Sequence, residues 1–597
     1  MLFQIGWVLF YPALLVLLFM YIFRYSSLRL SIQKHWKIII LFSVLLTVFL
    51  NLYTYWHMSQ EHFIYYWDFS GFWRRQIEVL GDFYHQPQLL FRDVLESIRK
   101  NEYSSFPQIL LLPHTVLLGN TYPRFVLAMV NSFLIPSQIL FFVWFTHLST
   151  QWNTDSKWTL SVIGVFLIFF TGNYLPLMLG YVGSGGLIWI ILVLIIMGEQ
   201  KLTKVSVLQS ILIGLILVVL VFIRRWFSYF VVSYFVVTPL AYFLDALVSK
   251  SLDWKKFTTL LIQLTISGLT ALLILFVGFR SLISTFTSYD YKYAYQSVYT
   301  GLQAAWPWFI NFYSPFQTAL LIIGIGYGLW NVRLRRWTLF SCLSIVLIIV
   351  MFYNVQIFGS HHYYIINILS EMLICFGLMA LINVFKNRVY QSSIVLLVSF
   401  LFLGNFSLVF LKYGQPIRDF FQTKIQAISS QLNAPPRVNS NVELIQDMVI
   451  DLQNLAQDYE YIYVLAGSGR FNDDMLRNAF LPDQYNPLPT IESTRSLDTR
   501  DGLPLDFFNY TYILVADPIQ YHNGAAFQHV IGDLAEGMLH DTELQNYYYL
   551  HKTYALSGDI TVYLYERIND IPEALKEKYR SIYRTLFPNN PELYNFH

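Results

Sequence analysis

Charged side chains are scarce in this chain. Only 13% of its 597 residues are Asp, Glu, Lys or Arg, whereas 55% are hydrophobic and 18% are aromatic. Soluble globular proteins carry about a quarter charged residues, so this composition excludes a soluble globular protein. The sequence therefore predicts a polytopic α-helical membrane protein, with the lipid bilayer as its first partner.

Cysteines and basic runs are equally rare. Cys342 and Cys375 both fall in apolar stretches, which excludes a disulfide framework and a cysteine metal site. The net charge is only +2 and Lys and Arg form no long run, so a nucleic acid partner is not expected. No pair of interrupted spans recurs in two halves of the chain, which counts against a transporter built from inverted repeats.

The sequence instead contains many long apolar windows. A helix needs roughly 20 apolar residues to cross about 30 Å of hydrocarbon. The first window lacks the basic flank and cleavage site of a signal peptide, so we expect a retained span. The sequence predicts about twelve transmembrane helices, at 3–23, 38–56, 124–147, 158–175, 184–198, 205–223, 228–248, 257–278, 312–330, 338–356, 363–385 and 391–411.

Lys and Arg concentrate in alternate loops between these windows. Basic loops stay in the cytoplasm, so the bias predicts that the N-terminus, residues 57–123 and everything after Tyr413 lie outside. We therefore expect a multi-pass plasma-membrane protein whose active site and C-terminal domain are extracytoplasmic. The opposite short loops hold four basic residues, which are Arg224, Arg225, Arg280 and Lys292. The basic loops hold fifteen, which are Arg24, Arg29, Lys34, Lys37, Lys157, Lys201, Lys204, Lys250, Lys255, Lys256, Arg333, Arg335, Arg336, Lys386 and Arg388.

The composition changes beyond the apolar module, residues 1–413. Residues 414–440 include NAPPRVNSN and are typical of a linker. In residues 441–597, the stretches EYIYVLAG, YTYILVAD and DITVYLYER predict strands. Helical patterns near 442–457, 525–539 and 570–587 alternate with them, which predicts a small α/β domain with a partly parallel sheet. This domain has no cysteine, as is ordinary on a bacterial surface without disulfide chemistry, and we favour a Gram-positive source.

The segment IYYWDFSGFWRRQIEVLGDFYHQP, residues 64–87, places one acid, Asp68, among aromatics directly after a span. The apolar spacing that follows predicts an amphipathic helix over 71–84 on the membrane surface, and a second one near 91–99. These helices would hold Asp68 at the level of the lipid headgroups. A lipid-linked substrate presents its reactive phosphate at the same level.

This layout and the short motif YYWDFSGFW resemble the GT-C superfamily of integral-membrane glycosyltransferases, which take a sugar from a polyprenyl-phosphate donor. The resemblance covers nearly the whole chain, including many spans, a first large outer loop with an acid, outer phosphate-binding residues and a C-terminal outer domain. It implies that Asp68 is the catalytic base or orients the acceptor. The additional first span, 3–23, departs from the family pattern.

The chemistry of such a transfer makes its own demands. A base must lie near the attacking hydroxyl, and hydrogen-bond donors or positive charge must stabilise the leaving phosphate. Asp68 suits the first role, although capping of a helix that starts near Ser70 would also explain it. Arg224 and Arg225 suit the second role because guanidinium groups bind phosphate bidentately. Snorkelling to the lipid headgroups is the alternative explanation of this pair.

Two adjacent histidines, His361 and His362, lie in the short outer turn FGSHHYY. Contact with the donor phosphate or sugar, binding of a divalent metal such as Mg²⁺ or Mn²⁺, and structural hydrogen bonding are all compatible with them. Their spacing matches no metal signature, and we assign no cofactor. Secondary candidates for the site are Glu61, His62, Asp82, Arg280, Lys292 and the intramembrane Glu371.

These observations favour an inverting glycosyltransferase. It would move one sugar from an undecaprenyl-phosphate-type donor to an extracytoplasmic wall polysaccharide or teichoic acid. A polyprenyl-phosphate sugar synthase and a flippase would supply the donor. Two alternatives stay open: a polysaccharide polymerase or ligase, and a non-enzymatic lipid or polysaccharide transporter.

Overall fold

The computed structural model describes most of the chain. The protein is helical up to Phe410 and combines helices with one small sheet after Asn441. The described residues are 2–25, 28–101, 103–152, 154–288, 291–294, 301–356, 358–412, 419–420, 432–456, 460–540 and 542–596.

The helices of the first part are compatible with a multi-pass membrane protein. Among the described residues, ten helical stretches are long and apolar enough to cross a bilayer. The second is 31 residues long, or about 46 Å at 1.5 Å per residue, which exceeds the thickness of the hydrocarbon. The ten are Phe3–Met20, Leu28–Met58, Tyr122–Gln151, Lys157–Met178, Val182–Glu199, Arg225–Val248, Trp254–Gly278, Val332–Tyr353, Tyr364–Val384 and Arg388–Phe410.

Two of the twelve predicted windows do not form such helices. Window 205–223 becomes a helix of only 17 residues, Val207–Ile223. Window 312–330 is divided, because Leu302–Tyr313 and Pro315–Trp330 meet at 105°. Between them Ser314 has a φ of +66°, and Pro315 has no amide hydrogen to continue the first helix. Length and composition alone therefore identify about ten spans, or eleven if the bent pair crosses once, among the described residues.

Breaks or irregular turns also occur in three of the long stretches. The fourth consists of Lys157–Ile168 and Thr171–Met178, and the fifth begins with a 3₁₀ turn, Val182–Gly186, before the helix Leu187–Glu199. Gly186 is required in this turn because a Cβ there would lie 2.0 Å from the ring of Phe227. The third stretch consists of Tyr122–Met129, a π-helical turn Val130–Leu134 and Ile135–Gln151.

Contacts between helix ends define two opposite ends of the bundle. At the basic end, Asp155 pairs with Lys34 and His35, and Gln263 Nε2 donates to the carbonyls of Lys201 and Lys204 at 3.3 Å. At the opposite end, the site end, Ser104 Oγ donates to Phe222 O at 2.6 Å, and Arg99 Nε to Gly278 O at 2.9 Å. The helix Val207–Ile223 therefore runs from one end to the other.

The loop after the second span carries helices Trp67–His85, Leu90–Lys100 and Phe106–Leu118. The first two correspond to the predicted amphipathic helices. Their apolar faces are buried against protein: Trp73 Nε1 donates to Asn120 O at 2.7 Å, and Gln108 Nε2 donates to Phe72 O at 3.3 Å. Part of the apolar surface predicted to lie on the membrane therefore packs on the helix Phe106–Leu118.

The C-terminal region contains a four-stranded sheet in the order β1-β2-β4-β3. Its strands are β1 Ile462–Leu465, β2 Tyr512–Asp517, β3 Tyr548–Leu556 and β4 Ile560–Arg567. The first two pair in parallel and the others are antiparallel, as the prediction of a partly parallel sheet required. The strand β3 was not predicted because most of its residues are exposed and show no alternation. The main helices are Val442–Leu455, His529–Leu539 and Glu573–Leu586, with short helices Asp473–Asn478, Asp498–Asp501 and Thr542–Gln545.

Residues 432–440, which the sequence assigns to a linker, contact the rest of the protein. His62 and Val438 form a parallel bridge, and Ala434 N donates to Val409 O at 2.8 Å. The guanidinium of Arg437 lies over the rings of Tyr65 and Phe69 at 5.2 and 5.0 Å. These contacts hold the C-terminal region against the first outer loop.

Candidate functional site

A cavity of about 300 Å³ at the site end, called the first cavity, is lined by all five principal site residues predicted from the sequence. These residues come from three distant segments of the chain. The C-terminal region covers the cavity and contributes residues that sequence reasoning missed. The predicted lining is Asp68, Arg224, Arg225, His361 and His362, and the further lining is Tyr103, Trp226, Gln356, Gly359, Ser496, Leu497, Arg500, His522 and Asn523.

The arginine pair lies where the helix Val207–Ile223 ends. Arg224 is extended and Arg225 opens a 3₁₀ turn, and both side chains are buried, at 7% and 8% exposure. The guanidinium of Arg224 lies 4.2 Å from the ring of Tyr103. Burial alone lowers the pKa of Arg224, but Tyr103, Tyr364 and Asp68 outweigh this effect and hold the pKa above its ordinary value. Arg224 is therefore a permanent buried cation.

One donor of this cation has no acceptor among the described residues. The Nη1 atom of Arg224 is buried and makes no hydrogen bond with any described residue. Leaving a buried charged donor unsatisfied costs free energy of about 1–3 kcal/mol or more. An anion in the first cavity would lie beside this cation, because Arg224 lines the cavity. Snorkelling does not describe this side chain, since it is enclosed by protein rather than extended to solvent.

Asp68 lies in the first turn of the helix Trp67–His85. The cap position is Tyr66, with no side-chain cap hydrogen bond, so Asp68 does not cap a helix starting near Ser70. Tyr103 Oη donates to Asp68 Oδ1 at 3.2 Å. The carboxylate also lines the first cavity, where a ligand hydroxyl could approach it.

The backbone before Asp68 is in an unusual conformation. Trp67 has a φ of +50°, which is rare for a bulky side chain. The C-terminal region holds it there: Trp67 N donates to Asp474 Oδ2 at 2.8 Å, and the ring of His522 packs edge-on at 4.1 Å. Asn478 Nδ2 also donates to Tyr65 O at 2.9 Å. Backbone strain of this kind persists only where surrounding structure enforces it, and it concentrates at functional sites.

The turn Ser360–His362 brings the two histidines together, with ring centroids 3.9 Å apart. Tyr181 stacks on His361 at 4.5 Å with the rings nearly parallel. Burial lowers the pKa of His361 to about 4. The carboxylate of Asp68 acts in the opposite direction, and the guanidinium of Arg224 lowers the pKa further. Burial, His361 and the two arginines likewise hold the pKa of His362 well below its ordinary value. Both rings are therefore neutral at pH 7, and each can donate one N–H to a ligand.

A second cavity, of about 410 Å³, also borders Asp68. Asp68 and Tyr103 are the two residues that line both cavities. The helix Trp67–His85 provides most of its wall. The lining is Asp68, Gly71, Phe72, Arg74, Arg75, Glu78 and Tyr103.

Glu61 and His62, secondary candidates from the sequence, line neither cavity. Glu61 forms a buried ion pair with Arg437, with Nε to Oε1 at 3.0 Å, and accepts from Tyr65 Oη at 2.7 Å. His62 contacts the exposed Glu443 at 2.9 Å. Glu61 therefore joins the first outer loop to residues 432–440, which sequence reasoning did not anticipate.

The other secondary candidates also lie outside both cavities. Glu371 is fully buried in the helix Tyr364–Val384, where it accepts hydrogen bonds from Gln138, at 3.0 Å, and Asn173. Asp82, Arg280 and Lys292 are absent from both linings. Within the described ranges, no group of three or more His, Cys, Asp or Glu side chains converges as a metal site.

Comparison with known proteins adds no assignment to this geometry. No protein-family model matches the chain, and no curated protein matches it. The chemistry of the site must therefore be argued from its side chains. Asp68 lines both a cavity with three guanidinium groups and a cavity whose other charged groups are two guanidinium groups and one carboxylate.

Proposed function

We propose that the protein is a glycosyltransferase of the GT-C type, which moves a sugar from a polyprenyl-phosphate-linked donor to an extracytoplasmic glycopolymer. One observation carries the proposal: Asp68 lines the same cavity as the buried Arg224 and Arg225. A base and a phosphate-binding pair are the two elements that this reaction requires.

The donor phosphate would bind Arg224 and Arg225, with its lipid in the bilayer. The unsatisfied Nη1 of Arg224 supports this assignment, and the neutral His361 and His362 would donate hydrogen bonds to the phosphate or the sugar. A phosphate between two guanidinium groups also offsets the cost of burying them.

Asp68 would act on the acceptor. An acceptor hydroxyl attacks the anomeric carbon, and the bond between that carbon and the phosphate oxygen breaks. The proton of the hydroxyl passes to Asp68, and the electron pair leaves with the polyprenyl phosphate. No second carboxylate lines the first cavity among the described residues, which supports a single displacement with inversion.

The proposal includes twelve membrane crossings, with the site end outside. Residues 61–67, which follow Met58, contact the C-terminal region, which follows Leu411. The two ends of the stretch from Met58 to Leu411 therefore lie on the same side of the membrane, and an even number of crossings must separate them. The eight long helices in this stretch, together with Val207–Ile223 and Pro315–Trp330, satisfy that condition. The concentration of Lys and Arg at the basic end supports a cytoplasmic location for that end and a plasma-membrane location for the protein.

The donor would then form on the cytoplasmic side and cross the membrane before use. This order requires a polyprenyl-phosphate sugar synthase and a flippase, and the acceptor is a wall polysaccharide or a teichoic acid. The C-terminal region would cover the bound donor through its contacts at the first cavity.

The test is the loss of transfer on removal of Asp68. Full-length protein in nanodiscs is given undecaprenyl-phosphate-linked sugars and polymer isolated from cells that lack this chain. We expect Asp68→Asn to lower kcat at least about 100-fold, as for loss of a general base. Asp82→Asn, in the same helix but outside both cavities, is the matched control and should retain activity. Normal transfer by folded Asp68→Asn would refute the proposal.

A further inference from the structure

We propose that the second cavity is the binding site for the acceptor, and that the acceptor is a neutral saccharide rather than a polyol phosphate. This inference rests on the proposed function. It starts from the position of Asp68 and Tyr103, which line both cavities. A base that lies between two cavities can reach a hydroxyl in one and a sugar–phosphate bond in the other.

The two cavities differ in charge. Three guanidinium groups face one carboxylate in the first cavity, where an anion is favoured. In the second cavity, Arg74 and Arg75 are balanced by Asp68 and Glu78. Asp474 adds a further carboxylate, 3.8 Å from Arg74. A polymer that carries a phosphate on every repeat would meet as many carboxylates as guanidinium groups here, with a further carboxylate beside Arg74, and would gain no net attraction.

The polar groups of the second cavity suit sugar hydroxyls. Each hydroxyl donates one hydrogen bond and accepts others, so a saccharide needs carboxylate acceptors and guanidinium donors close together. Glu78 accepts a hydrogen bond from Tyr485 Oη and keeps further acceptor capacity. Arg75 is half-buried and makes no hydrogen bond or ion pair with any described residue. Arg75 therefore has donors that a ligand in this cavity can use.

The size and shape of the space agree with this assignment. A cavity of about 410 Å³ falls within the ~300–1,000 Å³ typical of sites for small ligands. Gly71 contributes to its wall, and a Cβ added there would meet no atom within 4 Å. A side chain introduced at this position would therefore start in open space at the cavity wall.

Gly71 therefore provides a test with a matched control. Gly81 lies in the same helix, a Cβ added there also meets nothing within 4 Å, and it lines neither cavity. Gly71→Trp and Gly81→Trp make the same chemical change in the same helix, so any loss of folding should be common to both. Arg75→Ala is the second variant, with the exposed Arg92→Ala as its control.

The assay uses full-length protein in nanodiscs, an undecaprenyl-phosphate-linked sugar, and two acceptors: the neutral polysaccharide and the glycerol-phosphate polymer from cells that lack the chain. We expect transfer to the neutral polysaccharide, with KM raised at least about tenfold in Gly71→Trp and Arg75→Ala. Both controls should stay within about twofold of the natural protein, and the Kd for undecaprenyl phosphate should not change in any variant.

Two results would overturn the inference. One is transfer to the glycerol-phosphate polymer alone, and the other is an equal KM in Gly71→Trp and Gly81→Trp. Failure of the proposed function gives a different result, because the natural protein would then transfer sugar to neither acceptor.

Discussion

The carboxylate of Asp474 accepts a hydrogen bond from the backbone amide of Trp67, at 2.8 Å, across 407 positions of sequence. Trp67 is the residue before Asp68 and has a φ of +50°. Gly469, in the same C-terminal segment, packs against Tyr66 so closely that a Cβ would lie 2.8 Å from its hydroxyl. The C-terminal region thus holds the backbone that carries the candidate base.

Replacement of Asp474 should therefore impair the reaction without affecting donor binding. In Asp474→Leu we expect kcat to fall about 10–100-fold, because small displacements of a catalytic group are costly. Asp474→Asn should recover part of the loss, since its amide oxygen can accept the same hydrogen bond. Measured kcat and Kd for undecaprenyl phosphate separate the two effects, and the exposed Asp447→Leu is the control. A parallel rise in Kd would show that Asp474 does not act through Asp68.

The arginine pair should govern donor affinity. Removing one partner of a buried, hydrogen-bonded charge pair costs about 2–5 kcal/mol, so Arg224→Gln should weaken binding of undecaprenyl phosphate roughly 30-fold or more. Arg224→Lys should restore little, because an ammonium lacks the planar fork of donors. Arg280→Gln, which removes a cation at the same end but outside the cavities, should bind normally. Unchanged affinity in Arg224→Gln would assign the phosphate elsewhere.

Glu61 should contribute to stability and not to the chemical step. Breaking a buried ion pair by removing one partner costs about 3–5 kcal/mol, so Glu61→Gln should lower the Tm by several degrees. The exposed pair of His62 and Glu443 should contribute under about 1 kcal/mol, so His62→Gln is the control. Circular dichroism melting and kcat of the folded fraction distinguish the roles. A normal Tm with a lost kcat would instead support Glu61 as a participant in catalysis.

His361 should make the protein sensitive to acid. Its pKa in the folded protein, about 4, lies below its ordinary value of 6.5. The unfolded chain therefore binds a proton from pH 6.5 downward, whereas the folded protein does so only near pH 4. Stability falls as pH decreases through this window, by roughly 2 kcal/mol at about pH 5, and is unaffected above it. His361→Gln should flatten the dependence of Tm on pH in this range, whereas the exposed His540→Gln should not.

The sequence predicted the principal residues of the first cavity for a physical reason. An acid and a pair of cations are expensive near a membrane, so Asp68, Arg224 and Arg225 stand out from an apolar chain. Tyr103, His522 and Arg500 could not be found in this way. Tyrosine is frequent throughout the chain, with 43 copies, and the polar residues after Asn441 lie in a region where charge is ordinary.

The sequence also does not reveal which residues distant in the chain form ion pairs. Glu61 is a secondary site candidate in the sequence, but its partner is Arg437, in a stretch typical of a linker. The predicted spans at 205–223 and 312–330 also differ from the helices that form, because an apolar window does not show where a helix ends or bends. A window of apolar residues does not reveal that Ser314 turns the chain by 105°.

The hydrogen bond from Trp67 to Asp474 also can form only late in the synthesis of the chain. Ribosomes add about 5–20 residues per second, so roughly 20–80 s separate the synthesis of these two residues. During that interval the nascent chain carries Asp68 without the hydrogen bond from Trp67 to Asp474. Under the proposed function, activity would then require the last quarter of the polypeptide, and a prematurely terminated chain would reach the membrane without it.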